Sequence, residues 1–195
     1  MPQRGFTHGA LEQEHLVGAR HRIGMHEIHF ELRGAGDSEG EDYRTTDFET
    51  EIADNLAAFD YLAGRPDVQP GRLFVYGHST GGIEAAVVAS RRPAAGLIVS
   101  CTVGRTHFER MADTIRLQGE LAGDPEGEID RGVAARLAFV AAILRGAGAA
   151  ELRADSTFAG YFNRAGRIMD DRTVAYWRQQ LRLPLAEVYS RVSCP

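Results

Sequence analysis

The chain contains no lysine: its 22 basic residues are all arginines, and 27 acidic residues outnumber them to give a net charge of −5. This balance argues against binding to nucleic acid or to an anionic membrane surface. The two cysteines, Cys101 and Cys194, lack C-x-x-C spacing. They are therefore typical of buried apolar thiols in a reducing compartment. Neither a signal-peptide segment nor a run long enough to span a bilayer is present, which favours a cytoplasmic location.

Helical and strand-like patterns alternate along the first half of the 195 residues. The predicted order is a helix at Leu11–Ile23, a strand at Met25–Leu32, a helix at Phe48–Leu62, a strand at Leu73–Tyr76, a helix at Ile83–Ala89 and a strand at Ala95–Cys101. Thr46 is expected to cap the second helix, with Glu49 completing a capping box. Such alternation predicts an α/β fold with a parallel sheet and flanking helices.

Helical periodicity without a strand pattern continues from Thr106 to Arg191. Tyr176 and Trp177 are expected to pack inside this segment rather than line a substrate site. We therefore predict a partial core at residues 1–104, a helical cap-like segment at 105–190 and the start of another core strand at 191–195. Ligands of α/β folds bind near the carboxyl ends of strands, so this segment is placed to cover a site.

A serine lies between the predicted strand at Leu73–Tyr76 and the helix that follows it. The motif is Gly77-His78-Ser79-Thr80-Gly81. A strand, a sharp turn and a helix in this order are typical of a nucleophile elbow, in which Gly77 and Gly81 leave room around the strained serine. The Thr80 N–H would stabilise negative charge at the helix N-terminus as an oxyanion donor. The alternative is a tight loop with an inactive serine.

Several segments resemble the α/β-hydrolase superfamily, in its serine aminopeptidase and prolyl oligopeptidase-related branch. They are the strand end Phe30–Gly40, the G-H-S-x-G-G form of the motif at Gly77–Gly82, the connector Asp67–Arg72, and the segments Ala175–Leu181 and Val192–Pro195. The resemblance covers nearly the whole chain. It implies a partial α/β-hydrolase core followed by a cap, and an esterase, thioesterase or peptidase-like enzyme acting on a small acyl substrate.

The catalytic base of such an enzyme is not found where the resemblance requires it. Serine needs a histidine oriented by a carboxylate, in the chain order serine, acid, histidine. Only His107 follows His78 among the seven histidines, and it is too early in the chain for this role. We therefore expect a fragment without the first strands and without the acid and histidine segment. The resemblance also suggests the Phe6 N–H as a second oxyanion donor.

Two other motifs fail as cofactor sites. His26 and His29 are three residues apart on a predicted strand, so they point to opposite faces and predict no metal site. The segment Arg33–Gly36 lacks the third glycine and the helix of a dinucleotide fingerprint. We therefore expect neither metal nor cofactor.

Two functions remain open from the sequence. The first is a serine hydrolase that forms an acyl-enzyme at Ser79, with its acid and histidine supplied elsewhere. The alternative is a non-catalytic remnant that serves as a ligand-binding or interaction module. In the resembling fold a strand separates the Ile28 and Val75 strands, and its absence would leave an exposed sheet edge. Self-association or complementation through the incomplete sheet is therefore expected.

Overall fold

The computed structural model describes residues 31–69 and 71–194. The predicted helix at Leu11–Ile23, most of the strand at Met25–Leu32, the histidines His26 and His29, and Phe6 lie outside the described residues. The chain divides into two compact units, residues 1–46 and residues 47–195.

In the first unit, residues 31–46 form turns without a helix or strand. Gly34, Gly36 and Gly40 have φ values of 64°, 53° and 119°, which residues with a side chain rarely adopt. A Cβ atom on Gly34 would also collide with the Glu41 carbonyl. The Glu31 carboxylate accepts a hydrogen bond from the Asp37 N–H at 2.8 Å. This segment is therefore a glycine-dependent loop.

The second unit begins with alternating helices and strands. Its first elements are α1 (Phe48–Ala63), β1 (Phe74–His78), α2 (Thr80–Arg91) and β2 (Gly96–Ser100). The two strands pair in parallel, from Phe74 opposite Gly96 to His78 opposite Ser100. Helix α2 packs against both strands and against α1. The predicted alternation and parallel pairing are therefore present in this unit.

The same unit continues with helices alone. They are α3 (His107–Ala122), α4 (Glu126–Arg145), α5 (Ala149–Ala154), α6 (Val174–Leu181) and α7 (Leu185–Ser190), with 3₁₀ turns at Ala159–Tyr161 and Met169–Asp171. No strand occurs in the described residues 105–194, which confirms the predicted helical segment. Residues 192–194 have no regular structure. The domain boundaries at 104 and 190 remain predictions.

One hydrophobic core joins the sheet-flanking helices to the later helices of this unit. Its largest fully buried side chains are Trp177, Tyr176, Phe48, Phe139, Ile52, Ile83, Ile143, Leu152, Val87 and Val140. The Tyr176 and Phe48 rings meet edge to face at 5.6 Å, and Trp177 Nε1 donates to the Met169 carbonyl at 2.8 Å. Tyr176 and Trp177 are each 1% exposed, so their predicted packing role is confirmed.

The predicted cap of α1 is wrong by one residue. The Asp47 carboxylate, not the Thr46 hydroxyl, accepts the hydrogen bond from the Thr50 N–H at 2.8 Å. This bond is also the largest cause that holds the pKa of Asp47 below its usual value. The Thr46 hydroxyl instead donates to the Asp42 carbonyl at 3.4 Å. Asp47 caps the helix better than Thr46 because its negative carboxylate is also attracted to the positive end of the helix dipole.

Candidate functional site

Ser79 occupies the single residue between β1 and α2. Its backbone has φ 55° and ψ −123°, a conformation that costs free energy for a residue with a Cβ atom. The Ser79 N–H donates to the Ser100 carbonyl at 2.9 Å, which ties the turn to the end of β2. The serine thus lies at the carboxyl ends of both strands, where the sequence pattern predicts it.

The glycines around Ser79 differ in how closely they are packed. A Cβ atom on Gly77 would overlap the Gly81 carbonyl, and one on Gly82 would overlap the Thr102 side chain. At Gly81 no described atom lies within 4 Å of the Cβ position. The room needed for the turn therefore comes from Gly77 and Gly82. The expected space-giving role of Gly81 is not seen among the described residues.

The first turn of α2 begins directly after Ser79. The opening N–H groups of a helix have no partner inside the helix, and Thr80 is its first residue. The positive end of the helix dipole therefore lies beside the serine. The Ser79 side chain forms no capping hydrogen bond with α2. Its hydroxyl is thus not used to stabilise the helix.

An open pocket lies at this turn, and its volume of about 180 Å³ includes space that is open to solvent. It is lined by Ser79, Thr80, Ile83, Cys101, Thr102, Val103 and Arg110. The lining combines the start of α2, the turn after β2 and the first helix of the later helical segment. The sequence pattern predicts a site at Ser79 and Thr80, but not at Arg110 or residues 101–103. Spacing gave no signal for them, because they meet Ser79 only through the tertiary fold.

Cys101 differs from its predicted buried state. It is an exposed free thiol, and its φ is 52°. The chain turns sharply after β2 ends at Ser100, and this turn places Cys101 in the pocket wall. Cys194 is also free and only partly buried. The sequence pattern placed Cys101 inside a strand, where helices on both faces of the sheet would bury it. As a residue of the turn, it lies beyond these helices.

The described pocket residues supply no catalytic base. No histidine, aspartate or glutamate is among the side chains that line the pocket. His107 is the first residue of α3. That it does not act as the catalytic base stays a prediction. Within the described residues, no group of three His, Cys, Asp or Glu side chains could hold a metal ion. Nor does any helix there have the length and apolar content to cross a bilayer.

A buried polar network joins α1 to the segment before α6. Arg172 Nη2 donates to Glu51 Oε1 at 2.7 Å and to Oε2 at 2.9 Å, and both side chains are buried. The Arg172 guanidinium also lies 4.5 Å from the centre of the Tyr176 ring. Burial raises the pKa of Glu51 above its usual value, although the Arg172 charge opposes the shift. The network therefore holds a charge pair within the core of this unit.

Glu84 connects α2 to the same network. Its carboxylate accepts a hydrogen bond from Asn55 Nδ2 at 2.9 Å. Burial first, and the charge of Glu51 second, raise the pKa of Glu84 to about 7. Hydrogen bonds from Asn55 and Tyr176 and the Arg172 charge oppose this rise in the pKa. Because one arginine faces two carboxylates, Glu84 is the group whose charge is least compensated.

Known proteins resemble the chain over part of its length. The family model described as Serine aminopeptidase, S33, matches residues 5–124. Two uncharacterized proteins, MT2364 and Rv2307c, from two strains of Mycobacterium tuberculosis, are each 32% identical over 99 residues, or 48% of this chain and 34% of the relative. The chain thus spans about a third of these relatives. No solved structure matches it significantly.

The family match includes the turn at Ser79, both strands and the start of the helical segment. Two parallel strands with flanking helices and the later helices form a partial α/β-hydrolase fold. The family model covers more than half of the chain. The chain therefore belongs to the serine aminopeptidase family of the α/β-hydrolases.

Proposed function

We propose that the chain contributes the nucleophile of a serine hydrolase, which cleaves an ester, thioester or amide bond through an acyl-enzyme at Ser79. The observation that carries the proposal is the Ser79 backbone, with φ 55° between a parallel strand and a helix N-terminus, beside an open pocket. A nucleophile elbow requires such a strained turn between strand and helix, which supports the proposal. Membership of a hydrolase family supports the same chemistry.

In the proposed reaction, Ser79 Oγ attacks the acyl carbonyl carbon while its proton passes to a base. The carbonyl oxygen becomes an oxyanion beside the Thr80 N–H and the positive end of α2, which stabilise it. The leaving group departs with the proton, and water then releases the acyl group from the serine. The Phe6 N–H is proposed as a second oxyanion donor, and it lies outside the described residues.

The base and its carboxylate are proposed to come from sequence beyond these residues or from a second chain. No histidine or carboxylate is among the described side chains of the pocket. Serine without such a base is a weak nucleophile at neutral pH. The proposal therefore predicts that the chain joined to a segment carrying a late acid and histidine reacts faster than the chain alone.

A fluorophosphonate probe tests this proposal, because it labels an activated serine. We expect labelling of the joined form, and its loss in Ser79→Ala. Ser90→Ala is the matched control, because the Ser90 hydroxyl lies on α2 and donates to the Val87 carbonyl at 2.7 Å. If neither the chain nor its joined form shows Ser79-dependent labelling, the proposal is wrong.

The second candidate is a non-catalytic ligand-binding module with the same pocket. The absence of a base from the described pocket residues favours it. This module would bind an acyl compound without forming a covalent bond to Ser79. Ligand binding that is unchanged in Ser79→Ala, together with no labelling of any form, would distinguish it from the hydrolase.

A further inference from the structure

The pocket beside Ser79 has an unbalanced charge. Among its described lining residues, Arg110 carries the one ionised side chain. The chain as a whole has a net charge of −5, so a pocket with a cation and no carboxylate differs from the average surface. The N-terminal end of α2 at Thr80 adds partial positive charge to the same pocket. Both features favour a ligand that carries negative charge.

Arg110 differs from the neighbouring arginines of α3 and its N-terminal flank. Arg105 donates to Asp113 at 2.6 Å, and Arg116 donates to Asp130 at 3.0 Å. The exposed Arg110 side chain forms no hydrogen bond or ion pair with another described residue. Its guanidinium donors are therefore available to a ligand in the pocket.

The nearest acidic neighbour of Arg110 along the chain is already engaged. The Glu109 carboxylate accepts hydrogen bonds from the Thr106 N–H at 3.1 Å and from the Thr106 hydroxyl at 2.7 Å. This is the capping box of α3. The same bonds hold the pKa of Glu109 below its usual value, so the carboxylate stays with the helix cap.

The remaining lining offers little apolar surface. Ile83 and Val103 lie beside the serine, but they are only 1% and 8% exposed. Within the pocket, about 10 Å³ can hold the centre of a water-sized sphere, which is room for roughly one water molecule. A ligand at this site is therefore held mainly by its charge.

We propose that Arg110 determines substrate specificity by pairing with a carboxylate on the acyl part of the substrate. The substrate class is then an acyl ester, thioester or amide with a carboxylate in its acyl group. The pair places that carboxylate at α3 while the reacting carbonyl lies at Ser79. This inference rests on the proposed role of Ser79, and the experiment below separates the two.

The test uses the chain as it exists and two matched boronic acids. 4-Carboxyphenylboronic acid carries the carboxylate, and 4-carbamoylphenylboronic acid has nearly the same shape without the charge. The boron of either probe forms a bond with Ser79 Oγ as the hydroxyl proton leaves to solvent, which gives a tetrahedral boronate. Dissociation constants are measured by calorimetry at low salt for the wild-type chain and for variants.

We expect the wild-type chain to bind the carboxylate probe about three- to tenfold more tightly than the carbamoyl probe, as charge-assisted pairs at partly exposed sites do. Arg110→Gln should make the two affinities equal. Arg105→Gln is the control, because Arg105 lies near α3 but pairs with Asp113, and it should keep the preference. Ser79→Ala should weaken both probes without changing their ratio.

The outcomes separate the inference from the proposed function. If the wild-type chain shows no preference for the carboxylate, or Arg110→Gln keeps that preference, the specificity proposal is wrong whatever Ser79 does. If Ser79→Ala binds both probes as tightly as the wild-type chain, the nucleophile proposal fails. The carboxylate preference still reports on Arg110 in that case, because the ion pair does not require the serine.

Discussion

Single residues determine the shape of the turn at Ser79. The backbone of Ser79 has a positive φ, and the chain on both sides approaches so closely that side chains are excluded at Gly77 and Gly82. The strain of the turn is therefore maintained by packing rather than by the serine itself. Gly81 lies in the same motif, but no described atom lies near its Cβ position.

Gly77→Ala and Gly81→Ala should therefore have opposite effects on stability. The first substitution forces a methyl group against the Gly81 carbonyl and should lower the free energy of unfolding by about 1–3 kcal/mol. The second adds a helix-favouring residue in open space and should be neutral or stabilise by up to about 1 kcal/mol. Urea unfolding followed by circular dichroism measures both. Equal losses for the two variants would contradict this explanation.

At the scale of elements, the network of Glu51, Arg172 and Glu84 joins α1, α2 and the segment before α6. Buried charges cost free energy unless each has a partner. Arg172 is held by both carboxylate oxygens of Glu51, so Glu84 relies mainly on the neutral amide of Asn55. The protonation of Glu84 should therefore affect how stably these elements pack.

The free energy of unfolding should fall as the pH rises from about 4.5 to about 7. The pKa of Glu84 is raised to about 7 in the folded chain, from 4.5 for an unperturbed glutamate. The folded state therefore binds the proton more tightly, so its stabilising effect is full below 4.5 and is lost as the pH rises through 7. The slope for one such proton is at most about 1.4 kcal/mol per pH unit.

Glu84→Gln keeps the shape of the side chain and removes its titration. Denaturant unfolding between pH 5 and pH 8 should show a flatter profile for this variant than for the wild-type chain. Glu120→Gln, on the exposed surface of α3, is the control and should leave the wild-type profile unchanged. An unchanged pH slope in Glu84→Gln would show that other groups cause the dependence. The raised pKa of Glu51 contributes a slope of the same sign.

At the scale of the whole molecule, the two-stranded sheet exposes large apolar side chains. Phe74 is 52% exposed, Tyr76 57% and Ile98 53%. Phe74 and Tyr76 are two residues apart on β1 and share a face, and Tyr76 is opposite Ile98 in the register. Among the described residues, β1 pairs only with β2. Such a face and edge favour association.

We therefore expect the chain by itself to form oligomers, as measured by sedimentation velocity. Phe74→Lys combined with Ile98→Lys should shift the population toward monomer, because charges on this face oppose burial. The matched control is Leu117→Lys combined with Leu121→Lys, which changes two exposed leucines on α3 and should leave the oligomers. A wild-type chain that sediments as a single monomer would contradict the expectation.

Local patterns were sufficient where neighbours along the chain decide the structure. Apolar periodicity predicted the helical character of the second half, and the motif around Ser79 predicted its strand, turn and helix. The cap of α1 was misplaced because Thr46 and Asp47 are adjacent candidates. The T-x-x-E signal at Thr106, now the capping box of α3, was present in the sequence and would have located the start of that helix.

The sequence by itself determined the alternation of strands and helices, the turn at Ser79 and the helical second half, since these depend on residue periodicity and on glycine and proline. Only the tertiary structure brought Arg110 and Cys101 to the serine and paired Glu51 with Arg172 across 121 positions. A charged residue on a helix has the same local pattern whether it faces solvent, a pocket or a buried partner. Which of these environments the residue has depends on how elements that are distant in the sequence pack together.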